Sequence, residues 1–168
     1  SVIGLVGFGR IGSNVARLLG PFHPPKILVN DLKDKSAEIE KLRSIGLEIH
    51  QVDKNKIYRQ ADIISLHVPL SPKTYGMINT SVLKLFKRDS FVINCARGGI
   101  INEDDLYFAL KNKIIRGAAV DAFEEEPYNW KLTKLSNILL TQHIGSCSYD
   151  CRLQMELQAT QDLIRFFN

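Results

Sequence analysis

What this sequence has little of narrows the field first. Only three cysteines occur in 168 residues, Cys95, Cys147 and Cys151. That number is too small and too odd for a disulfide framework, and Cys147 and Cys151 lack the spacing of zinc ligands. A reducing, cytoplasmic chain without a metal is expected. No apolar run is long enough to cross a bilayer, and no basic-then-apolar leader opens the sequence. Charge of one sign is not concentrated: 22 basic against 18 acidic side chains give a formal charge of +4, with the lysines scattered. Such a pattern predicts neither a nucleic-acid nor a membrane surface. Repeats and low-complexity linkers are missing as well.

What is present is an alternation of short apolar runs with helical periodicity. Strands are expected at Val2–Val6, Lys26–Val29, Glu48–Gln51, Ile63–Leu66, Phe91–Asn94, Ile114–Val120 and Asn137–Thr141. Helices are expected at Ile11–Leu19, Ser36–Ser44, Glu103–Lys111 and Tyr149–Phe167, the last with a stripe of Cys151, Met155, Ala159, Leu163 and Phe166. Continuous rather than alternating apolar runs, separated by helices, predict a parallel sheet covered on both faces: one α/β domain of the Rossmann-type doubly wound kind.

Each run ends in residues foreign to a core. These are Gly7 and Gly9, Asp31, His67, Arg97, Asp121 with the glutamates after it, and His143. In an open parallel sheet these ends share one edge, where ligands bind. "GFGRIG" places Gly7, Gly9 and Gly12 in the G-x-G-x-x-G spacing between a strand and a helix. The first glycine makes the turn, the second lets amides reach a pyrophosphate at the helix N-terminus, and the third lets helix and strand pack. Asp31 lies 19 residues past Gly12. A carboxylate there accepts from the ribose hydroxyls of NAD and repels the extra phosphate of NADP, with Lys33 nearby as the countervailing charge. The cofactor expected is NAD.

Arg97 carries a planar fork suited to a carboxylate, and Gly98 and Gly99 beside it are read as clearing space for a ligand. His143 is the proton-transfer candidate. Glu124, Glu125 and Glu126 are its candidate carboxylate partners. An arginine, a histidine and a carboxylate around a nicotinamide suffice to oxidise an alcohol next to a carboxylate. Tyr107 and Lys111 have the Tyr-x-x-x-Lys spacing of short-chain dehydrogenases, but they lie in an amphipathic helix with Leu106, Ala109 and Leu110 as its apolar face, and the glycine spacing is wrong for that family.

Several motifs together, "VGFGRIGSNVA", "ADIISLHVPLSPKTYGMIN", "VINCARGGIINEDDL", "GAAVDAFEEEP" and "NILLTQHIGS", resemble the nucleotide-binding domain of the D-isomer-specific 2-hydroxyacid dehydrogenases. "NCARGG" looks most like the D-3-phosphoglycerate dehydrogenase branch. The resemblance implies that Arg97 binds the substrate carboxylate and that Glu126 pairs with His143. It also implies cofactor contacts from Arg10, Ile11, Asp31, the His67-Val68-Pro69 turn, Cys95, Ala96, Arg97, Asp121, His143 and Gly145. The implied substrate is a small anionic 2-hydroxy acid, and the implied assembly is a homodimer of the complete protein. The family has proline where Gln142 stands. It also has a substrate-capping domain, expected to be absent here, so that residues 1–168 are the NAD-binding domain and the segment is read as cut from something longer. Other small acids, such as glycerate, lactate or a sugar acid, remain open as substrates. So does a non-catalytic dinucleotide sensor or corepressor-like module, although a sensor would need only the glycines and Asp31.

Overall fold

A computed structural model describes residues 1–167; Asn168, the last residue of the expected domain, lies outside them. Seven strands form one parallel sheet: β1 (Val2–Val6), β2 (Lys26–Asn30), β3 (Ile49–Gln51), β4 (Ile63–Leu66), β5 (Phe91–Asn94), β6 (Gly117–Val120) and β7 (Ile138–Leu140), in the order β3-β2-β1-β4-β5-β6-β7. The order reverses between β1 and β4, and a crevice opens at such a reversal. The described helices are α1 (Arg10–Leu19), α2 (Ser36–Arg43), α3 (Lys54–Gln60), α4 (Thr80–Leu83), α5 (Glu103–Lys111) and α6 (Tyr149–Phe167), with single 3₁₀ turns at Gly20–Phe22 and Lys131–Lys134. The Rossmann-type doubly wound sheet is thus as expected.

Alternate strand residues feed two separate cores. Ile3, Leu5, Ile27 and Val29 pack with Ala16 of α1 and with Ile39 and Leu42 of α2. Val6, Leu28, Ile64, Leu66 and Val92 pack with Ile57 of α3, Leu83 of α4 and Leu106 of α5. The expectation of two covered faces fails over half of the sheet. Beyond β1 the connections all lie on the second face, so Ile63, Phe91, Ile93, Ala119 and Leu139 border an open apolar trough. The stripe on α6 likewise finds no core, since none of the helix's residues is buried.

Several boundaries also shift: α1 starts one residue earlier, at Arg10, α2 ends one earlier, at Arg43, and β3 starts one later, at Ile49. β2 runs one residue further, to Asn30, and β7 is shorter than Asn137–Thr141 at both ends. The run from Ile114 is not all strand, because Lys113 takes a left-handed conformation (φ 54°) and the Ile114 amide bonds back to the Ala109 carbonyl. Ile115 is buried before β6 begins at Gly117. Helices α3 and α4 went unread although each has a side-chain cap. Asp53 accepts from the Asn55 amide, and Asn79 accepts from the Ser81 and Val82 amides.

Candidate active site

Parallel pairing brings the strand ends to one edge. The Gly7 amide donates to the Asn30 carbonyl and the His67 amide to the Val6 carbonyl, so the turns after β1, β2 and β4 stand level. Gly7 has a φ of 96°, and a side chain there would strike the His67 carbonyl. This glycine therefore sets both the turn and the approach of β1 to β4. Gly9 differs: a side chain there would meet no protein atom within 4 Å. The space it keeps clear lies outside the protein, in the crevice. Gly12 is buried, while Arg10 and Ile11 are exposed at the start of α1, whose N-cap residue Gly9 supplies no side-chain acceptor. Open amides at a helix N-terminus suit a pyrophosphate.

Asp31 stands half-buried at the end of β2. Partial burial works to raise its pKa, but amide hydrogen bonds from Lys33 (2.9 Å) and Phe8 (2.8 Å) and the nearby Lys35 charge outweigh it, so the carboxyl sits below its ordinary range. The carboxylate thereby ties β2 to the glycine turn. Leu32 next to it is fully exposed, and Ile11 is 65% exposed. Both offer apolar surface to flat rings. His67 and Val68 are half-buried and Pro69 is exposed. Burial lowers the pKa of His67, and its Nε2 is enclosed without a partner among the described residues.

The turn after β5 is clamped by Asn94, a buried residue that sequence reasoning passed over. Its Nδ2 donates to the Arg97 carbonyl (2.9 Å) and its Oδ1 accepts from the Ala96 amide (3.2 Å). An asparagine closing an apolar strand was the available signal. Arg97 is exposed, with one guanidinium N–H on the Ala96 carbonyl (2.7 Å). Cys95 is exposed, and Ala96 is half-buried. Desolvation and the Asp121 charge push the Cys95 thiol up, away from thiolate chemistry.

Asp121, buried at the end of β6, accepts from the Thr141 hydroxyl (2.5 Å) and from the amides of Ile144 (2.9 Å) and Gly145 (3.0 Å). Burial opposes its ionisation, but these donors prevail and its pKa is lowered. Asp121 thus braces the loop that presents His143, which sits in a left-handed conformation (φ 54°). Across from it, Glu126 accepts from His143 Nδ1 at 3.0 and 3.1 Å and from the Phe123 amide at 3.0 Å. The Phe123 amide and the His143 ring hold the Glu126 carboxyl below its usual range. Of the three glutamates, Glu126 is therefore the partner. With a proton on Nδ1 donated to Glu126, the Nε2 lone pair is left for another group.

Arg97, Glu126 and His143 line one cleft of about 400 Å³, together with Leu70 and Tyr75. Tyr75 was not foreseen. Its hydroxyl donates to Glu124 (2.6 Å). The reading of Gly98 as space for a ligand is corrected. A side chain at Gly98 would collide with the Phe123 carbonyl and the Glu124 amide, so this glycine admits the glutamate loop instead. Gly99, at φ 76°, lies against the Tyr75 ring. Tyr107 and Lys111 lie outside the cleft, with the Lys111 ammonium 5.5 Å from the Tyr107 ring centroid. Among the described residues no His, Cys, Asp and Glu cluster could hold a metal.

A glycine turn facing an open crevice, with an acidic residue after the second strand of this sheet, defines a Rossmann-type nucleotide-binding domain. The chain belongs to the D-isomer specific 2-hydroxyacid dehydrogenases, whose NAD binding domain model matches residues 1–145. The glyoxylate reductase of Thermococcus litoralis is 41% identical over 165 residues, which are 98% of this chain and 48% of that protein. The apo form of Rhodotorula graminis D-mandelate dehydrogenase superposes with a TM-score of 0.87 at 30% identity, over 98% of this chain and 47% of that one. The NAD-complexed D-isomer specific 2-hydroxyacid dehydrogenase of Lactobacillus delbrueckii ssp. bulgaricus gives 0.81 at 27% identity, over 97% and 53%. The chain spans about half the length of the curated relatives it matches. The likeness to the phosphoglycerate branch holds at the level of the family only.

Proposed function

We propose that this chain is the cofactor-binding half of an NAD-dependent enzyme that interconverts a small 2-oxo acid and its D-2-hydroxy acid. The observation that carries the reading is the Glu126–His143 pair facing Arg97 within one cleft. Gly7, Gly9, Gly12 and the start of α1 would hold the pyrophosphate, Asp31 the ribose, and Ile11 with the turns after β4 and β5 the nicotinamide end. Bound NAD supplies the hydride acceptor, and NADH the donor. The chain's own residues do the rest. Arg97 binds the substrate carboxylate through its fork. His143 Nε2 takes the proton from the hydroxyl in oxidation and returns it to the carbonyl oxygen in reduction. Glu126 holds the ring through Nδ1, and Asp121 holds the loop.

A short 2-oxo acid such as glyoxylate is favoured over a phosphorylated one. The relatives at 36–41% identity are named glyoxylate reductases, and Arg97 is the cleft's single arginine or lysine. Relatives twice as long support a second, substrate-capping half in the complete protein. The uncovered face of β4–β7 supports a dimer. A purely sensing role would not need the Glu126–His143 pair. The test is turnover of NADH by the complete protein with glyoxylate, pyruvate and 3-phosphohydroxypyruvate, alongside this chain alone. Glyoxylate should be reduced fastest, with this chain alone binding NADH but nearly inactive. Preference for the phosphorylated acid, or full activity without the second half, would contradict the reading.

A further inference from the structure

At the sheet edge opposite the glycine turn, the loops entering β5, β6 and β7 border a groove of about 600 Å³. Five cationic side chains line it, Arg88, Lys111, Lys113, Arg116 and Lys134, against one carboxylate, Asp89. They come from segments far apart in sequence. Among the described residues none of the five makes an ion pair, although other basic residues do. Lys87, beside Arg88, pairs with Asp62 at 2.8 Å, and Lys131, one turn from Lys134, pairs with Asp104 at 2.6 Å. The groove thus gathers five cations without a carboxylate pair among the described residues, while the adjacent Lys87 and Lys131 are paired. Its frame is fixed: Asn137 Nδ2 donates to the carbonyls of Leu110 (3.2 Å) and Arg116 (3.3 Å), and Ile115 is fully buried. Arg116 also lies over the Phe91 ring, 5.7 Å from its centroid.

We propose that this groove binds a small polyanion built on a chain of phosphates. Its size is that of a small-molecule site, which spans roughly 300–1,000 Å³. A net excess of four cations over that space calls for several negative charges on one ligand, because a monoanion would leave most of the mutual repulsion in place. Two guanidinium forks suit phosphate oxygens. Nucleic acid fits less well. The charge is confined to one concavity rather than drawn out along a track, and the nearest aromatic faces, Phe91 and Tyr107, are already covered by Arg116 and Lys111.

The test is calorimetric titration of this chain with inorganic tripolyphosphate and with ATP. Saturating NADH is present, so that the glycine turn is occupied. One site is expected, weakened by added salt. Equal affinities assign recognition to the phosphate chain, and tighter ATP binding adds a contact to the nucleoside. Each cationic contact removed should weaken binding about tenfold. The Arg88→Ala/Lys134→Ala variant should therefore bind about a hundredfold more weakly, with NADH affinity unchanged. Lack of binding, binding unaffected in that variant, or tighter binding of a single-stranded DNA oligonucleotide than of tripolyphosphate would overturn the proposal.

Discussion

Replacing Gly98 by alanine places a methyl group on the backbone of the loop that carries Glu126. The atoms it meets are the Phe123 carbonyl and the Glu124 amide, and no flexible side chain can yield in their place. Ordinary contact would be restored only if the loop withdrew by about 1 Å or more. Glu126 now lies 3.0 and 3.1 Å from His143 Nδ1, so a retreat of that size breaks the hydrogen bond. Overpacking of this kind costs about 1–3 kcal/mol of stability. For the activity proposed above, a misplacement of about 1 Å is worth about a hundredfold in turnover. Two assays read this on the present chain. Urea unfolding gives the stability. An NMR pH titration follows the Glu126 carboxyl, which should move up part of the way towards its usual range once His143 no longer pairs with it, the Phe123 amide travelling with the loop. Gly9→Ala is the matched control. Its φ of −82° suits any residue and its surroundings are open, so stability should change by less than about 0.5 kcal/mol while NADH binding weakens. A Gly98→Ala protein with wild-type stability and an unchanged Glu126 titration would refute the argument.

Two further outcomes are expected. Tyr58 is 1% exposed, its hydroxyl has no partner among the described residues, and burial with the nearby Asp53 charge pushes its pKa up to about 12. Tyr58→Phe removes an unsatisfied polar group while keeping the stacked contact with Phe86. It should leave stability unchanged or raise it by about 1 kcal/mol, and a clear loss in urea unfolding would show a missed partner. Asp31, Asp121 and Glu126 all have folded pKa values below their ordinary ones. Their stabilisation is therefore complete above the unfolded values near about pH 4 and is lost as pH falls through the lower folded ones. The urea midpoint should decline gently below about pH 6.5, where the unfolded His67 imidazole protonates but the buried one resists, and drop more steeply below about pH 4. Asp121→Asn should make that drop shallower, and a drop as steep as in the wild type would contradict the role given to Asp121.

The sheet and its reactive edge were legible because both follow from local pattern. A buried parallel strand needs an apolar run, and a polar residue closing the run must lie at the edge. That logic found Gly7, Asp31, Arg97, Asp121 and His143 together. It could not choose Glu126 over Glu124, which requires knowing how the loop turns past Gly98. It misjudged Gly98 because a glycine kept for backbone contact and one kept for a ligand read alike. The short helices α3 and α4 carry little periodicity, and their caps, Asp53 and Asn79, were the only signals. The stripe on α6 is a real helical pattern, but periodicity shows which face is apolar and not what covers it. The cationic groove was illegible for a different reason. Its five basic residues, at positions 88, 111, 113, 116 and 134, look scattered along the chain, and only the sheet edge gathers them.

The account rests on the crevice above Gly9 and Asp31 being the NAD site. Calorimetric titration of this chain with NADH, and separately with NADPH, tests it most directly. The account predicts NADH binding at least about tenfold tighter, with that preference lost in Asp31→Ala. Equal affinities in the wild type, tighter NADPH binding, or no binding of either by the folded chain would contradict it.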